Sequence, residues 1–285
     1  MTQPQSTPGT LYIVATPIGN LQDMTPRARE VLAAVAIIAA EDTRHSGKLL
    51  KYFNITTPQI SLHDHNEASR TPDLLAKLRA GQDIALISDA GTPLISDPGF
   101  TLVRAAREAG ITITPIPGAC AIITALSAAG LPTDRFVFEG FLSAKSQARQ
   151  NQLAALRHET RTLVFYESVH RLPATLADMA TAFGEQRYAV IGRELTKLHE
   201  AFYAGALAEL RTQVESNADI GKGELVLLVA GAGKRPDNEL QHAEQILDTL
   251  LTELPVKQAA ALAAKLTGIK KNRLYSLALE KRATS

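Results

Sequence analysis

The chain has no tryptophan, a single cysteine and only 5% aromatic residues among its 285. One cysteine, Cys120, cannot close an internal disulfide, which excludes a disulfide scaffold and fits a reducing compartment. With so few rings, aliphatic side chains and alanine must build the core. No apolar run approaches the ~18 residues of a membrane span. The longest, Val31–Ala40, lies between Glu30 and Glu41. Met1–Gly9 lacks a basic start and an apolar stretch, so no secretory signal is expected and the reading is of a cytoplasmic protein without membrane contact. An excess of one charge is also missing, with a net +1. Several catalytic signatures are absent. There is no P-loop, since Gly221-Lys222-Gly223 lacks the hydroxyl that would hold magnesium, and no G-x-G-x-x-G follows the first apolar run. There is no H-E-x-x-H, and one cysteine excludes a cysteine-rich zinc site, so no metal is expected. His63-Asp64-His65 reads as a polar loop at a strand end.

What is present is an ordinary globular composition, 45% apolar and 21% charged, in a length that suits two or three domains. Leu11–Ala15, Ile37–Ala40, Ile84–Ser88 and Ile111–Ile116 read as buried strands, with Ser61–His63 short and extended. Thr25 caps a helix that has Pro26 at its first position and runs to about Val35. Further helices are expected over Ser46–Phe53, Pro72–Ala80, Phe100–Ala109 and from Pro117-Gly118 to about Ala129. The alternation predicts a parallel α/β domain with crossovers. After the break at Gly130-Leu131-Pro132, strands are expected over Phe136–Glu139, Thr162–Tyr166, Tyr188–Arg193 and Leu225–Ala230. Helices are expected over Lys145–Arg157 and Arg171–Phe183. Gly231–Asn238 reads as a linker, followed by helical patterns at Leu240–Leu251, Val256–Leu266 and Asn272–Glu280. The expected organisation is a frayed tail over 1–10, α/β lobes over 11–130 and 131–232, and a small basic helical domain over 239–285.

Charge is unevenly spread. From Pro255 onward seven basic residues face Glu280 alone, a net +6 that leaves −5 for the rest of the chain. Lys270, Lys271 and Arg273 form its densest stretch. A polyanion contact and a solvated helical face both account for this segment. Lys145, Arg149, Arg157 and Arg161 make a second basic set on or beside one expected helix.

The most unusual segment runs from Ser88 to Gly99, SDAGTPLISDPG. It leaves a buried strand at its carboxyl end, where open α/β sheets bind ligands. Two glycines and two prolines fix an irregular backbone, and small side chains let a ligand approach main-chain groups closely. Asp89 is placed to accept from a ribose hydroxyl.

This loop resembles the adenosylmethionine loop of the tetrapyrrole methylase superfamily, the class III methyltransferases. The resemblance extends in order through VATPIGNLQDMTPRA from Val14, AAEDTRHSGKLL from Ala39, LHDHNE from Leu62, PIPGACAIITALSAAGLPTDRF from Pro115, FYESVHR from Phe165, GRELTKLHE from Gly192 and KGELVLLV from Lys222. It is strongest to the branch that methylates the 2′-hydroxyl of a cytidine in bacterial small-subunit ribosomal RNA. It implies a two-lobed fold with S-adenosyl-L-methionine in the cleft between the lobes. By position it places Pro17 near the cofactor, Ser88, Asp89 and Ala90 along it, and Leu94 and Ile95 behind. Cys120 and Ala121 match small residues that touch it, Tyr166 and Glu167 the second lobe's wall, and Gly223 the start of the last strand. It implies 16S rRNA as partner and commonly a homodimer. Small-molecule members of the superfamily usually carry G-x-G-x-G-D and G-G-D-P loops. Here those positions read Ala15-Thr16-Pro17-Ile18-Gly19-Asn20 and Ser88-Asp89-Ala90-Gly91, which supports the RNA branch. Methylation of a small tetrapyrrole, or a non-catalytic role in ribosome assembly, are the alternatives.

Four groups are candidates for the base that accepts the hydroxyl proton: Asp42, His65, Glu167 and Glu194. An imidazole titrates near the working range, about pH 6.5, whereas a carboxylate needs a value raised by burial. The residues do not choose among the four. Arg44, beside Asp42, suits bidentate phosphate binding. Arg171 and Arg193 suit RNA contact or ion pairing across a cleft equally. Lys145 and Arg149, with the C-terminal lysines and Arg273, complete the expected RNA grip. Cys120 reads as a packing residue rather than a nucleophile.

Overall fold

A computed structural model describes residues 7–217, 219–233 and 236–283. The expected tail over residues 1–6, and the expected linker at 234 and 235, lie outside the described residues. The chain is already tied down at Gly9, whose N–H donates to Leu78 O at 2.8 Å, and the first strand starts one residue later.

Five strands form the first sheet: β1 (Thr10–Val14), β2 (Ile37–Ala40), β3 (Gln59–Ser61), β4 (Ile84–Ile87) and β5 (Thr112–Ile116). All pair in parallel, in the order β3-β2-β4-β1-β5. Helices α1 (Pro26–Ala34) and α2 (Thr43–Tyr52) cover one face, setting Ala28, Leu32 and Leu50 against Val14, Ile38 and Ile87. On the other face α3 (Glu67–Arg79) and α4 (Phe100–Glu108) set Leu74, Leu78 and Leu102 against Leu11, Ala39 and Leu86. Coverage on both faces explains why β4 is apolar and buried at every position. The connection after β1 leads to β2 on one side, and the connection after β4 leads to β5 on the other. The connections after neighbouring β1 and β4 thus lead to helices on opposite faces, α1 and α4, and at the carboxyl ends of such a strand pair an open α/β sheet makes its ligand crevice. α3 starts at Glu67, before Pro72, because the Glu67 carboxylate is anchored in the interior and not by the proline.

The second sheet contains the four expected strands and one more, and it is mixed. Its strands, β6 (Phe136–Phe141), β7 (Thr162–Ser168), β8 (Tyr188–Arg193), β9 (Ala201–Ala206) and β10 (Glu224–Val229), follow the order β6-β7-β10-β8-β9. Only β6 and β7 are parallel; β10 runs against both of its neighbours, and β9 runs against β8. The edge strand β9 and the helix after it, α8 (Leu207–Ser216), were not expected from the sequence. α5 (Ala121–Ala128) follows β5 but packs on this sheet, setting Ile122, Ala125 and Leu126 among Val164, Val190, Val226 and Leu228. The alanine-rich stripe of α5 is thus core, and it joins the two lobes.

α6 (Ser146–Ala155) and α7 (Leu172–Phe183) also belong to this lobe. They are clamped by an ion pair that corrects one expectation. Arg149 is no phosphate ligand on an open face. It is 5% exposed, its guanidinium pairs with Asp178 at 2.7 Å, and it also donates to Ser143 O.

The lobes form one unit, to Ala155 and then Thr162–Ala230, and a second unit takes Leu156–Arg161 and the chain from Gly231. In the second, α9 (Pro236–Leu251), α10 (Val256–Thr267) and α11 (Lys271–Ala283) bury Ala243, Leu247, Ala259, Ala260, Ala263, Leu274 and Ala278. Alanine at four of the α9 and α10 contacts suits closely approaching helices. Part of the expected linker is fixed, since Ala232 N–H donates to Glu159 O at 2.6 Å.

Replacing one partner of a buried ion pair strands the other charge, at a cost of about 3–5 kcal/mol. Asp178→Ala is expected to lower unfolding stability by that amount, whereas Arg149→Met with Asp178→Leu is expected to restore most of it. Urea unfolding of the three proteins checks this.

Candidate active site

The loops after β1 and β4 are bound to each other across the crevice. Thr16 N–H donates to Gly91 O at 2.8 Å, Gly91 N–H returns to Thr16 O at 3.1 Å, and Thr16 Oγ1 donates to Ser88 O at 3.3 Å. Thr92 Oγ1 donates to Ala119 O at 3.1 Å and so ties in the turn after β5. The loop between Ser88 and Gly99 is strained, with Leu94 and Ser96 at φ 72° and 70°. It ends at Gly99, φ 126°, where any Cβ would press on Leu86. Gly99 caps α4 without a side chain, and Glu67 fills that role from α3. Its buried carboxylate accepts from Leu102 N–H at 2.9 Å.

Between these loops and the ends of β7, β8 and β10 lies a cavity of about 510 Å³, the size of a nucleoside site. The first lobe contributes Glu41, Asp89–Thr92, Ile95–Asp97, Cys120 and Ala121. The second contributes Phe141, Tyr166–His170, Leu195 and Gly223–Val226. The lining holds five acidic residues and, among the described residues, no lysine or arginine. Burial, and then the charges of Glu41, Asp89 and Asp64, push the Asp97 carboxyl up to about 7 against a hydrogen bond from Ser88. Burial raises Glu41 as well, opposed by the Asp89 N–H and assisted by the Asp89 charge. Burial pushes the Tyr166 hydroxyl up too. Carboxylates that resist ionisation in each other's presence suit a cationic ligand, which would relieve the repulsion. Ile18, Ala121, Leu195 and Val226 offer an apolar wall for the rest of such a molecule. The donor set therefore fits S-adenosyl-L-methionine, whose positive charge Asp89 and Asp97 would face.

Seven of the ten expected cofactor contacts line this cavity: Asp89, Ala90, Ile95, Cys120, Ala121, Tyr166 and Gly223. Three do not. Ser88 is 2% exposed, and its hydroxyl is turned inward among Ala90 O, Gly91 O and the Asp97 carboxyl. Leu94 packs into the core beside Leu86 and Leu102, and Pro17 stands outside the lining, where Ile18 takes its place.

Two of the four expected bases, Asp42 and Glu194, are shifted downward, opposite to what a carboxylate base needs, and the other two are placed unfavourably. Asp42 caps α2 and is chelated by Arg44 at 2.8 Å, which holds its carboxyl well below the usual range. Glu194 is drawn up by burial, but Lys197, the Glu224 N–H and Arg193 outweigh it and lower the group overall. The Glu167 carboxylate lines the cavity but accepts from Arg171, Thr175 Oγ1 and Ser168 N–H. His65 is exposed and stands outside the cavity. The raised carboxylates are Glu41 and Asp97, neither of which the sequence singled out, although each lies inside a motif it did.

The basic candidates also divide. Arg193 is 9% exposed and donates to Lys222 O and His199 O, so it braces the β8–β9 connection and does not reach for phosphate. Arg171 is half-buried and paired with Glu167. Arg44 is 90% exposed at its side chain, and Lys145, Lys270, Lys271 and Arg273 are exposed.

Comparison with known proteins agrees with this geometry. Residues 10–211 match the sequence model of the Tetrapyrrole (Corrin/Porphyrin) Methylases, and residues 237–282 match that of the RsmI C-terminal HTH domain. The chain is 54% identical to Ribosomal RNA small subunit methyltransferase I of Pseudomonas aeruginosa, over 97% of this chain and 99% of that one. It is 56% identical to the protein of the same name in Escherichia coli O157:H7, over 95% of each. Among solved structures, a diphthine synthase superposes with a TM-score of 0.61 at 15% identity, covering 78% of this chain and 89% of that one. A uroporphyrin-III-C-methyltransferase from Thermus thermophilus gives 0.55 at 23% identity, covering 78% and 94%. These two speak for the fold alone. The chain belongs to the tetrapyrrole methylase family, alongside the ribosomal RNA small subunit methyltransferase I proteins.

Proposed function

We propose that the chain transfers a methyl group from S-adenosyl-L-methionine to the ribose 2′-hydroxyl of a cytidine in 16S ribosomal RNA, in the cytoplasm and as a homodimer. The observation that carries this reading is an acidic cavity at the sheet's switch point, in a chain 54% identical over nearly its full length to a ribosomal RNA small subunit methyltransferase I. When bound, S-adenosyl-L-methionine supplies a methyl group already activated on a sulfonium. The chain's own tasks are to hold that cation, to align a hydroxyl and to take up its proton. Alignment by a rigid cleft is worth about 7–11 kcal/mol, and a placed base about 10²–10⁴-fold in rate.

Asp97 and Asp89 hold the cation in this reading. Glu41 is the proton acceptor. Its carboxyl is raised, and it sits at the end of β2 immediately before the exposed corner where Arg44 can meet a backbone phosphate. Arg44, Lys145, Lys270, Lys271 and Arg273 are the exposed cations available to the RNA backbone. Domain limits at 11–130, 131–232 and 239–285 remain the proposed division of labour, with the last segment serving RNA.

Three outcomes test the reading. Asp97→Asn is expected to weaken donor binding by at least about tenfold, the worth of a hydrogen bond to a charge. Because the Asp97 value is raised to about 7, the wild-type group is largely protonated at pH 6 and ionised at pH 8. Affinity for a cation is expected to rise across that window in the wild type and to stay level in Asp97→Asn, read by calorimetry. In the free protein the sign reverses: the raised group contributes stability below the unfolded value of 3.8, and that contribution fades as pH rises through about 7. Glu41→Gln is expected to cut methyl transfer by about 10²–10⁴-fold while keeping donor affinity. Neutralising Lys270, Lys271 and Arg273 together is expected to flatten the dependence of log affinity for RNA on log salt by about 2–3, since each phosphate contact contributes about 0.7–0.9. An unchanged slope removes those side chains from the RNA interface.

A further inference from the structure

We infer that Phe141 is the platform on which the acceptor's nucleobase stacks, an inference that rests on the RNA-methylating reading above. β6 pairs with β7 from Phe136 opposite Thr162 to Phe138 opposite Val164, and then Phe141 lies opposite Tyr166. Three residues of β6 thus span two of β7, a bulge. Side chains alternate between the faces of a sheet. An unbroken β6 would set Phe141 opposite Glu167, on the face away from Tyr166. The extra residue returns Phe141 to the face that carries Phe138, Val164 and Tyr166. Gly140 makes the turn possible, at φ 66° in the left-handed region that favours glycine.

The re-aimed ring lines the cavity, its centroid 5.4 Å from that of Tyr166, while Phe138 meets Tyr166 edge-on at 4.9 Å. Phe138 and Tyr166 are partly buried in the core, but Phe141 stays 56% exposed. Few aromatic residues exist in this chain, and this one is turned by a backbone irregularity toward a ligand cavity and left uncovered. A phenyl ring offers a π-face and no hydrogen-bonding group, which suits a flat nucleobase of any identity. A 2′-hydroxyl can reach the recessed carboxylates only if its nucleotide leaves the RNA stack. Phe141 replaces part of the stacking that is lost. The donor's adenine is the other flat ring in the reaction, and the test separates the two.

The full-length chain and its Phe141→Ala, Phe141→Leu and Phe141→Trp variants are compared in three measurements. They are donor affinity by calorimetry, kcat/KM for methyl transfer to small ribosomal subunits lacking the modification, and affinity for a single-stranded cytidine-containing ribo-oligonucleotide with S-adenosylhomocysteine present. A stacked base is worth about five- to hundredfold in affinity. Phe141→Ala and Phe141→Leu are expected to lose that factor in kcat/KM and in oligonucleotide affinity, Phe141→Trp to keep both, and donor affinity to hold throughout. Wild-type behaviour in Phe141→Leu, or a donor affinity that falls in step with the rate, overturns the inference. If the wild type methylates no RNA, the functional reading falls, and the oligonucleotide affinities of the variants still decide the role of Phe141.

Discussion

Glu41, Asp89 and Asp97 face one small volume from which water is partly excluded and into which no lysine or arginine points among the described residues. Left free, such carboxylates repel one another, and the protein must hold them together against that force. The fold does so with backbone. Asp89 Oδ1 accepts from Asp42 N–H at 3.1 Å, and Glu41 accepts from Asp89 N–H at 3.4 Å, so the corners after β2 and β4 are stitched to each other. Thr16 and Gly91 stitch the corner after β1 to the same loop. Glu67 pins the loop's far end by capping the helix that follows. The parallel sheet supplies the frame on which these corners meet, and a lost stitch would let the acidic groups separate.

The second lobe meets a different need. Its sheet is mixed because β9 returns directly against β8, and β10, reached through α8, runs back between β7 and β8, and it presents its strand ends and an aromatic pair to the same cleft. α5 binds the lobes together by leaving one sheet and burying itself on the other. The C-terminal unit has its own alanine-lined core and displays Lys270, Lys271 and Arg273 to solvent. The chain's overall neutrality thus hides a division into an acidic catalytic body and a basic end.

The first sheet was legible because its strands are buried on both faces and read as unbroken apolar runs, as at Ile84–Ile87. The Ser88–Gly99 loop was legible from its glycines and prolines. What escaped depends on contacts distant in sequence. The ion pair that buries Arg149 has its other half on a different helix, at Asp178. The raised value of Asp97 comes from burial first and then from the charges of Glu41, Asp89 and Asp64, and burial, Glu41 and Asp64 reach it only through folding. β9, with sequence AFYAGA, lies at a sheet edge, and its three alanines and one glycine carry little preference for a strand. Strand direction in the second sheet is set by connections and leaves no imprint on hydropathy. Two of the four sequence candidates for the base share a flaw of the same kind: Asp42 and Glu194 each lie close in sequence to a cation, Arg44 and Lys197, that lowers the carboxyl.

Because the protonation of Asp97 answers to whatever charge lies beside it, the cleft exchanges hydrogen ions with solvent as its contents change. A cation that settles there expels a proton. Once the positive charge on sulfur has been spent, the carboxyl recaptures one. Those two exchanges cancel over a full cycle, which releases only the acceptor hydroxyl's proton, but the heat of donor binding would vary with the ionisation enthalpy of the buffer.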